Sequence, residues 1–211
     1  MQLFSFLLIF LLAACQNSEQ KKPAVATTAT VNVTTSEAQK AAEVAAKNDA
    51  IIKGAKQILT FIKAKNYAGL ANTFHADGVR FSPYSYIDST NDLVIKAADF
   101  AKNLKKTRTW GAEYGSEEPI KRNTEAYFKR YVYDMDFLSV KTPVCNEVTP
   151  SGNSVPNVKE VYQGCDFVEF HVEGTNPKLE GMDWRTLFVV MKKNVDGKYQ
   201  LVGLVHDEWA P

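Results

Sequence analysis

Residues Arg185–Val205 read RTLFVVMKKNVDGKYQLVGLV. Two Val-rich apolar runs, Arg185 to Lys192 and Tyr199 to Val205, flank Asp196-Gly197. An Asp-Gly between two such runs is the sequence sign of a β-hairpin, because glycine accepts the positive φ that a tight turn needs. The first run is almost continuously apolar, which suits a strand buried on both faces. Phe167 to Val172 reads as a further strand just upstream. The chain runs out soon after the hairpin, so the hairpin is expected at the heart of the sheet.

Working back toward the N-terminus, the pattern changes period. Ile51, Ala55, Ile58, Leu59 and Ile62 recur at helical spacing and make one apolar stripe of a long amphipathic helix ending near Lys65. Ser36-Glu37-Ala38-Gln39 fits a capping box, so the helix is expected to start there. Tyr67, Leu70 and Phe74 give a short second helix, and His75-Ala76-Asp77-Gly78 a turn. Val79 to Phe81 is a strand stopped by Pro83. Residues 96–105 read as helix, 107–114 as strand, and Asn123 or Thr124 caps a helix running to about Tyr131. Val144 to Val148 is a weak strand, and residues 149–164 form a Gly/Pro/Asn-rich excursion. Helices first and strands last predict an α+β domain with N-terminal helices packed on one face of a curved, mostly antiparallel sheet.

The other end of the chain carries an address. Leu7 to Leu12 is apolar and uncharged, and it leads into Leu12-Ala13-Ala14-Cys15. Small residues before a cleavage point mark an export signal. With cysteine next, the segment resembles a bacterial lipoprotein signal and its lipobox, although no Lys or Arg precedes the apolar run. Residues 3–14 are too few to span a bilayer, which takes ~20 apolar residues. The resemblance implies cleavage before Cys15, lipid on its sulfur, and a life in the bacterial envelope. Gln16 rather than Asp after that cysteine implies the outer membrane if the host is Gram-negative. The expected organisation is a signal at 1–14, a flexible polar tether at 15–35, and one α+β domain at 36–211.

Composition limits the function classes. The 211-residue chain has a formal net charge of +1 and is 45% hydrophobic. A near-neutral chain without a clustered basic stripe makes no electrostatic claim on nucleic acid. If Cys15 carries lipid, Cys145 and Cys165 remain as a pair, and an oxidising compartment favours a disulfide over two free thiols. Closing that loop would stabilise by ~3 kcal/mol on the chain-entropy account. No Ser-His-Asp order, Gly-rich phosphate loop, CxxC or H-E-x-x-H is present, and no cofactor is expected.

The element order resembles the nuclear transport factor 2-like (cystatin-like) cone fold over about residues 36–209. Phe74-His75, Gly78-Val79-Arg80-Phe81-Ser82-Pro83-Tyr84, Thr109-Trp110-Gly111, Gly181-Met182-Asp183-Trp184-Arg185 and Val202 to Trp209 resemble a family of uncharacterised exported bacterial proteins. The cone fold implies a cavity between helices and sheet. Enzymes on that plan, such as ketosteroid isomerase and scytalone dehydratase, place a carboxylate or His base there against a group that holds developing charge.

The candidate residues are Arg80, Ser82, Tyr84, Trp110, Trp184 and Arg185, expected at the cavity mouth because each segment pairs an aromatic surface with a polar group near a strand end. Arg80 and Arg185 would grip an anion or carbonyl. The plain alternatives are that both arginines pair with carboxylates, and that Arg80 points away from the cavity if Val79 and Phe81 face the core. His75, Tyr86, His206 and Asp207 are further residues of suitable chemistry. Glu169, His171 and Glu173 share one strand face at period two; a solvated face is the better reading than a metal site, and no metal is expected. The functional expectation is a membrane-anchored binder of a small molecule, peptide or protein partner. A cavity enzyme doing acid–base chemistry on a small apolar substrate is the rival, and a homodimerising module the third reading.

Cys15→Ser is expected to leave the precursor uncleaved and unlipidated. Fractionation with mass measurement checks this; a Cys15→Ser protein processed and membrane-bound like the wild type would refute the lipoprotein reading.

Overall fold

The computed structural model describes residues 29–209, with side chains from Ser36 onward; the lipobox and Cys15 lie outside the described residues. The chain divides into two compact units, one up to Ala41 and one from Ala42 onward. Within the described part, the first unit is helical. The second unit is α+β.

Helix α1 spans Ala29–Lys63. It starts well before the expected capping box. Ser36 therefore sits inside a running helix, where its backbone N–H is not one of the orphan donors that a cap satisfies. The expected apolar stripe is present: Ile51, Ala55, Ile58, Leu59 and Ile62 are all buried in the main core. The helix ends in a Schellman turn, in which Asn66 N–H donates to Phe61 O and Lys65 N–H to Ile62 O, with Lys65 at φ 52°. Asn66 then caps α2, Tyr67–Ala71, by accepting from Gly69 N–H at 2.9 Å. No helix among the described residues is long and apolar enough to cross a membrane.

Next come strands β1 (Val79–Ser82) and β2 (Leu93–Ile95), α3 (Ala97–Lys102), β3 (Arg108–Ala112), β4 (Pro119–Arg122) and α4 (Thr124–Tyr131). The sequence pattern missed the three-residue β2 and the four-residue β4, each too short to show a period. β5 (Val144–Cys145) and α5 (Val158–Val161) precede the three long strands β6 (Asp166–Val172), β7 (Arg185–Lys193) and β8 (Tyr199–Glu208).

Six strands form one curved sheet in the order β2-β1-β8-β7-β6-β5, and β3-β4 is a separate two-stranded ribbon. All pairings in the large sheet are antiparallel except β1 with β8. The β7–β8 hairpin is central, as expected. Its turn differs from the two-residue form that Asp-Gly suggests. Asn194 N–H donates to Lys198 O and Gly197 N–H to Asn194 O, with Gly197 at φ 77°, so the loop has five residues and ends in a glycine bulge. Asn194 Oδ1 accepts from Asp196 and Lys198 N–H, which accounts for the longer loop.

The sheet is covered on both faces. The first face packs on α1 and on an aromatic core in which Trp110 stacks on Tyr127 at 4.0 Å and meets Phe81 edge-on at 5.4 Å. The second face carries a smaller core of Ile87, Val158, Phe167, Phe188, Val190 and Val205. The excursion at 149–164 supplies its cover, so the helices-on-one-face expectation is incomplete. Tyr162 lies so close over Gly203 that no side chain fits at that position.

This two-sided arrangement separates the cysteines. Cys145 packs against the main core and Cys165 against the smaller one, and both are free thiols. The register pairs Cys145 with Val168, not with Cys165. The expected disulfide is absent because its partners serve different faces of the sheet. Burial pushes both thiols up in pKa.

Candidate functional site

The six residues expected at one cavity mouth do not converge. Val79 and Phe81 are fully buried in the main core, so Arg80 between them turns to the other face. Its guanidinium donates to Ser89 O at 3.1 Å and Asp92 O at 3.2 Å, and so holds a loop. Trp110 is fully buried, with its indole N–H on Arg122 O at 2.8 Å, and is core rather than a ligand platform. Trp184 is buried against Gly152 and His171. Arg185 pairs with Asp134 at 2.8 Å and Glu208 at 3.1 Å, the plain structural alternative. Ser82 is fully buried, with its hydroxyl against the Asp92 carboxyl. Tyr84 alone of the six lines a cleft at the end of β8.

That cleft has a volume of about 520 Å³. Four segments build its walls: Pro83 to Tyr86 with Asp88 and Asp92 after β1, Ala112 to Gly115 with Glu117 at the β3–β4 turn, Asn153 to Val155 of the excursion, and Asp207-Glu208 at the end of β8. Pro83 ends β1 because it offers no N–H to continue the ladder. Gly111, at φ 140°, lets the β3–β4 ribbon approach that proline and Asp92; a Cβ there would lie 3.1 Å from Asp92 Oδ1 and 3.3 Å from the proline ring.

Two carboxyls in this cleft are buried without an ion-pair partner. Asp207 is 4% exposed and Asp92 8%. Asp207 accepts the Ser154 hydroxyl at 2.7 Å. Asp92 accepts Asp88 N–H at 3.0 Å. Among the described residues, no Lys, Arg or His ion-pairs with either. Burial disfavours the charged form and pushes both up to about 6, against the opposing pull of Ser154 and Ser85 hydroxyls on Asp207 and of Ser82, Asp88 N–H and Arg80 on Asp92. Between them, Glu113 accepts the hydroxyls of Tyr84 at 2.8 Å and Tyr131 at 2.9 Å. Burial, and then that carboxylate, hold both phenols above their ordinary pKa.

On the first face of the sheet the same end of β8 is neutralised. His206 is fully buried, with Nδ1 at 3.2 Å from Pro83 O and Nε2 at 3.2 Å from Asp134. Both ring nitrogens meet acceptor oxygens. Burial alone would raise Asp134, but His206 and Arg185 hold it below the usual carboxylate range. Arg130 forks onto Glu208 at 2.6 and 3.1 Å. Asp134, His206 and Glu208 bring ligand atoms within 4.8 Å of one another, a spacing a metal ion can use. Their carboxylates are already matched by two guanidiniums, so the set reads as a structural charge network.

The strand face of Glu169 and His171 is not solvated, contrary to expectation. Glu169 is 1% exposed and accepts Thr149 N–H at 2.8 Å, and His171 meets the Thr186 hydroxyl at 2.7 Å. The covering excursion explains both. Asp92, Glu113 and Ser154 went unnoticed in the sequence because they belong to three segments that only the fold brings together. No family model matches the chain, and no curated protein matches it.

Asp207→Asn tests the buried charge. A folded-state pKa of about 6 lies above the unfolded value near 3.8. The folded protein therefore carries a penalty that is full above about pH 6 and gone below the unfolded value. Asn keeps an acceptor for Ser154, so Asp207→Asn is expected to stabilise by about 1–3 kcal/mol in urea unfolding at high pH and to make no difference near pH 3. An equal loss of stability at both pH values would contradict this.

Proposed function

We propose that this chain is a lipid-anchored bacterial envelope protein that binds a small molecule or peptide in the Tyr84–Asp207 cleft without turning it over. The observation that carries the reading is the cleft itself. Its volume of about 520 Å³ falls within the range of small-molecule sites. Its rim exposes Tyr86 by 71%, Tyr114 by 65% and Val155 by 79%. Large exposed side chains gathered at a cleft mark a contact surface. Anchoring rests on Leu12-Ala13-Ala14-Cys15. A long helix, a short helix and a curved, mostly antiparallel sheet support the cone-shaped nuclear transport factor 2-like plan. The excursion covers the sheet face that a homodimer would otherwise use, which favours a ligand over a second copy.

The acid–base enzyme is the second reading, and one observation favours it: Asp92 and Asp207 hold protons up to about pH 6, where a carboxyl serves as acid or base. It ranks second because no Lys, Arg or His lines the cleft, and the Tyr84 hydroxyl already donates to Glu113. Developing negative charge would find no prepared donor among the described residues.

A fragment library screened by NMR separates these. The binding reading expects hits that shift the Tyr84, Tyr86 and Tyr114 ring signals, with every compound recovered unchanged. Hits confined to other surfaces would overturn the site, and conversion of a bound compound would establish the enzyme.

A further inference from the structure

We infer that the cleft selects an organic cation, an amine or guanidinium carried on an apolar or aromatic body; this rests on the binding reading above. Acidic residues alone would not carry it, because exposed carboxylates are common. The argument starts from Asp92 and Asp207, both more than nine-tenths buried, both lining the cleft, and neither ion-paired. Taking a carboxylate out of water costs free energy unless a counter-charge or enough hydrogen bonds replace the solvent. The fold supplies such a counter-charge on the first face, where Arg130 and Arg185 match Glu208 and Asp134. Among the described residues, no ion pair reaches Asp92 or Asp207 on the cleft side. Arg80, the nearest cation to Asp92, spends its Nη1 on two backbone carbonyls.

The walls add an independent observation. Tyr84 and Tyr114 stand 6.0 Å apart by ring centroids, and Tyr86 is exposed at the same mouth. Aromatic faces beside buried carboxylates suit a cation with an apolar body, since the ring quadrupole attracts the charge and the ring surface covers the rest. An anion finds the opposite: every ionisable side chain of the lining is an acid or a phenol.

Protons and the cation would compete for the same carboxylates. The groups facing Asp92 are Arg80, Asp88, Ser82 and the buried phenols of Tyr127 and Tyr162; those facing Asp207 are Ser154, Ser85 and His206. Cation binding is therefore expected to weaken as pH falls through about 6.

Three probes of matched shape test the assignment on the full chain by calorimetry: phenethylamine, 2-phenylethanol and phenylacetate. Near pH 7.5 the expected order is amine, then alcohol, then carboxylate, with the amine at least about tenfold tighter than the alcohol. Lowering the pH to about 5 weakens the amine by about tenfold or more and leaves the alcohol unchanged. Asp92→Asn, or Asp207→Asn should the first fail to fold, removes the preference for the amine and keeps alcohol binding. Tyr114→Ala weakens amine and alcohol together. Equal binding of all three probes, or tightest binding of phenylacetate, overturns the cation assignment while the ligand cleft stands. An amine preference untouched by pH and by both Asn variants also overturns it, since the charge would be held elsewhere. No binding of any probe up to ~10 mM overturns both readings.

Discussion

Strand β8 fixes this domain, because it is buried between two neighbours and asked to carry charge at its end. It pairs in parallel with β1 and antiparallel with β7. Side chains of successive residues go to opposite faces of a strand. His206 therefore enters the first face and Asp207 the second, both almost wholly removed from water. Each face must then accommodate a buried polar group, and the two faces do so differently. The first surrounds it with Asp134, Arg185, Glu208 and Arg130. The second gives Asp207 the hydroxyls of Ser154, at 2.7 Å, and Ser85, and places it against a cleft.

The rest of the architecture follows from covering both faces. Helix α1 and the Trp110–Tyr127–Phe81 cluster close the first, and the excursion with α5 closes the second. Where that excursion passes the end of β8, Ser154 reaches Asp207 and Val155 stays exposed. The cleft is thus the seam between the cover of the second face and the β3–β4 ribbon. Asp92 belongs to the same seam, held there by the loop that Arg80 ties down.

Much of the fold was legible. The Ile51–Ile62 stripe, the Asn123 cap and the Asp196-Gly197 hairpin are local signals, and each appears where the pattern places it. The start of α1 was not, since a capping box inside a continuing helix looks the same in sequence as one at its end. The excursion read as loop because its short apolar pieces, Val158 and Tyr162, have no period, yet they form the lid of a core. This one omission also misplaced Glu169 and the cysteine pair. The site was legible in residue types only. Tyr84, Tyr86 and Asp207 were recognised as suitable chemistry, while Trp110 and Arg185 drew attention for the large aromatic ring and strong charge that a core stack and an ion pair need equally.

The central claim is that two carboxyls in one cleft are buried without an ion-pair partner among the described residues. A carbon-detected NMR titration of the aspartate side-chain carboxyls measures this directly. The account predicts that Asp92 and Asp207 titrate near pH 6 while Asp134 stays ionised below the ordinary carboxylate range. Ordinary titration of both Asp92 and Asp207, near 4, would show them solvated or paired and would contradict it.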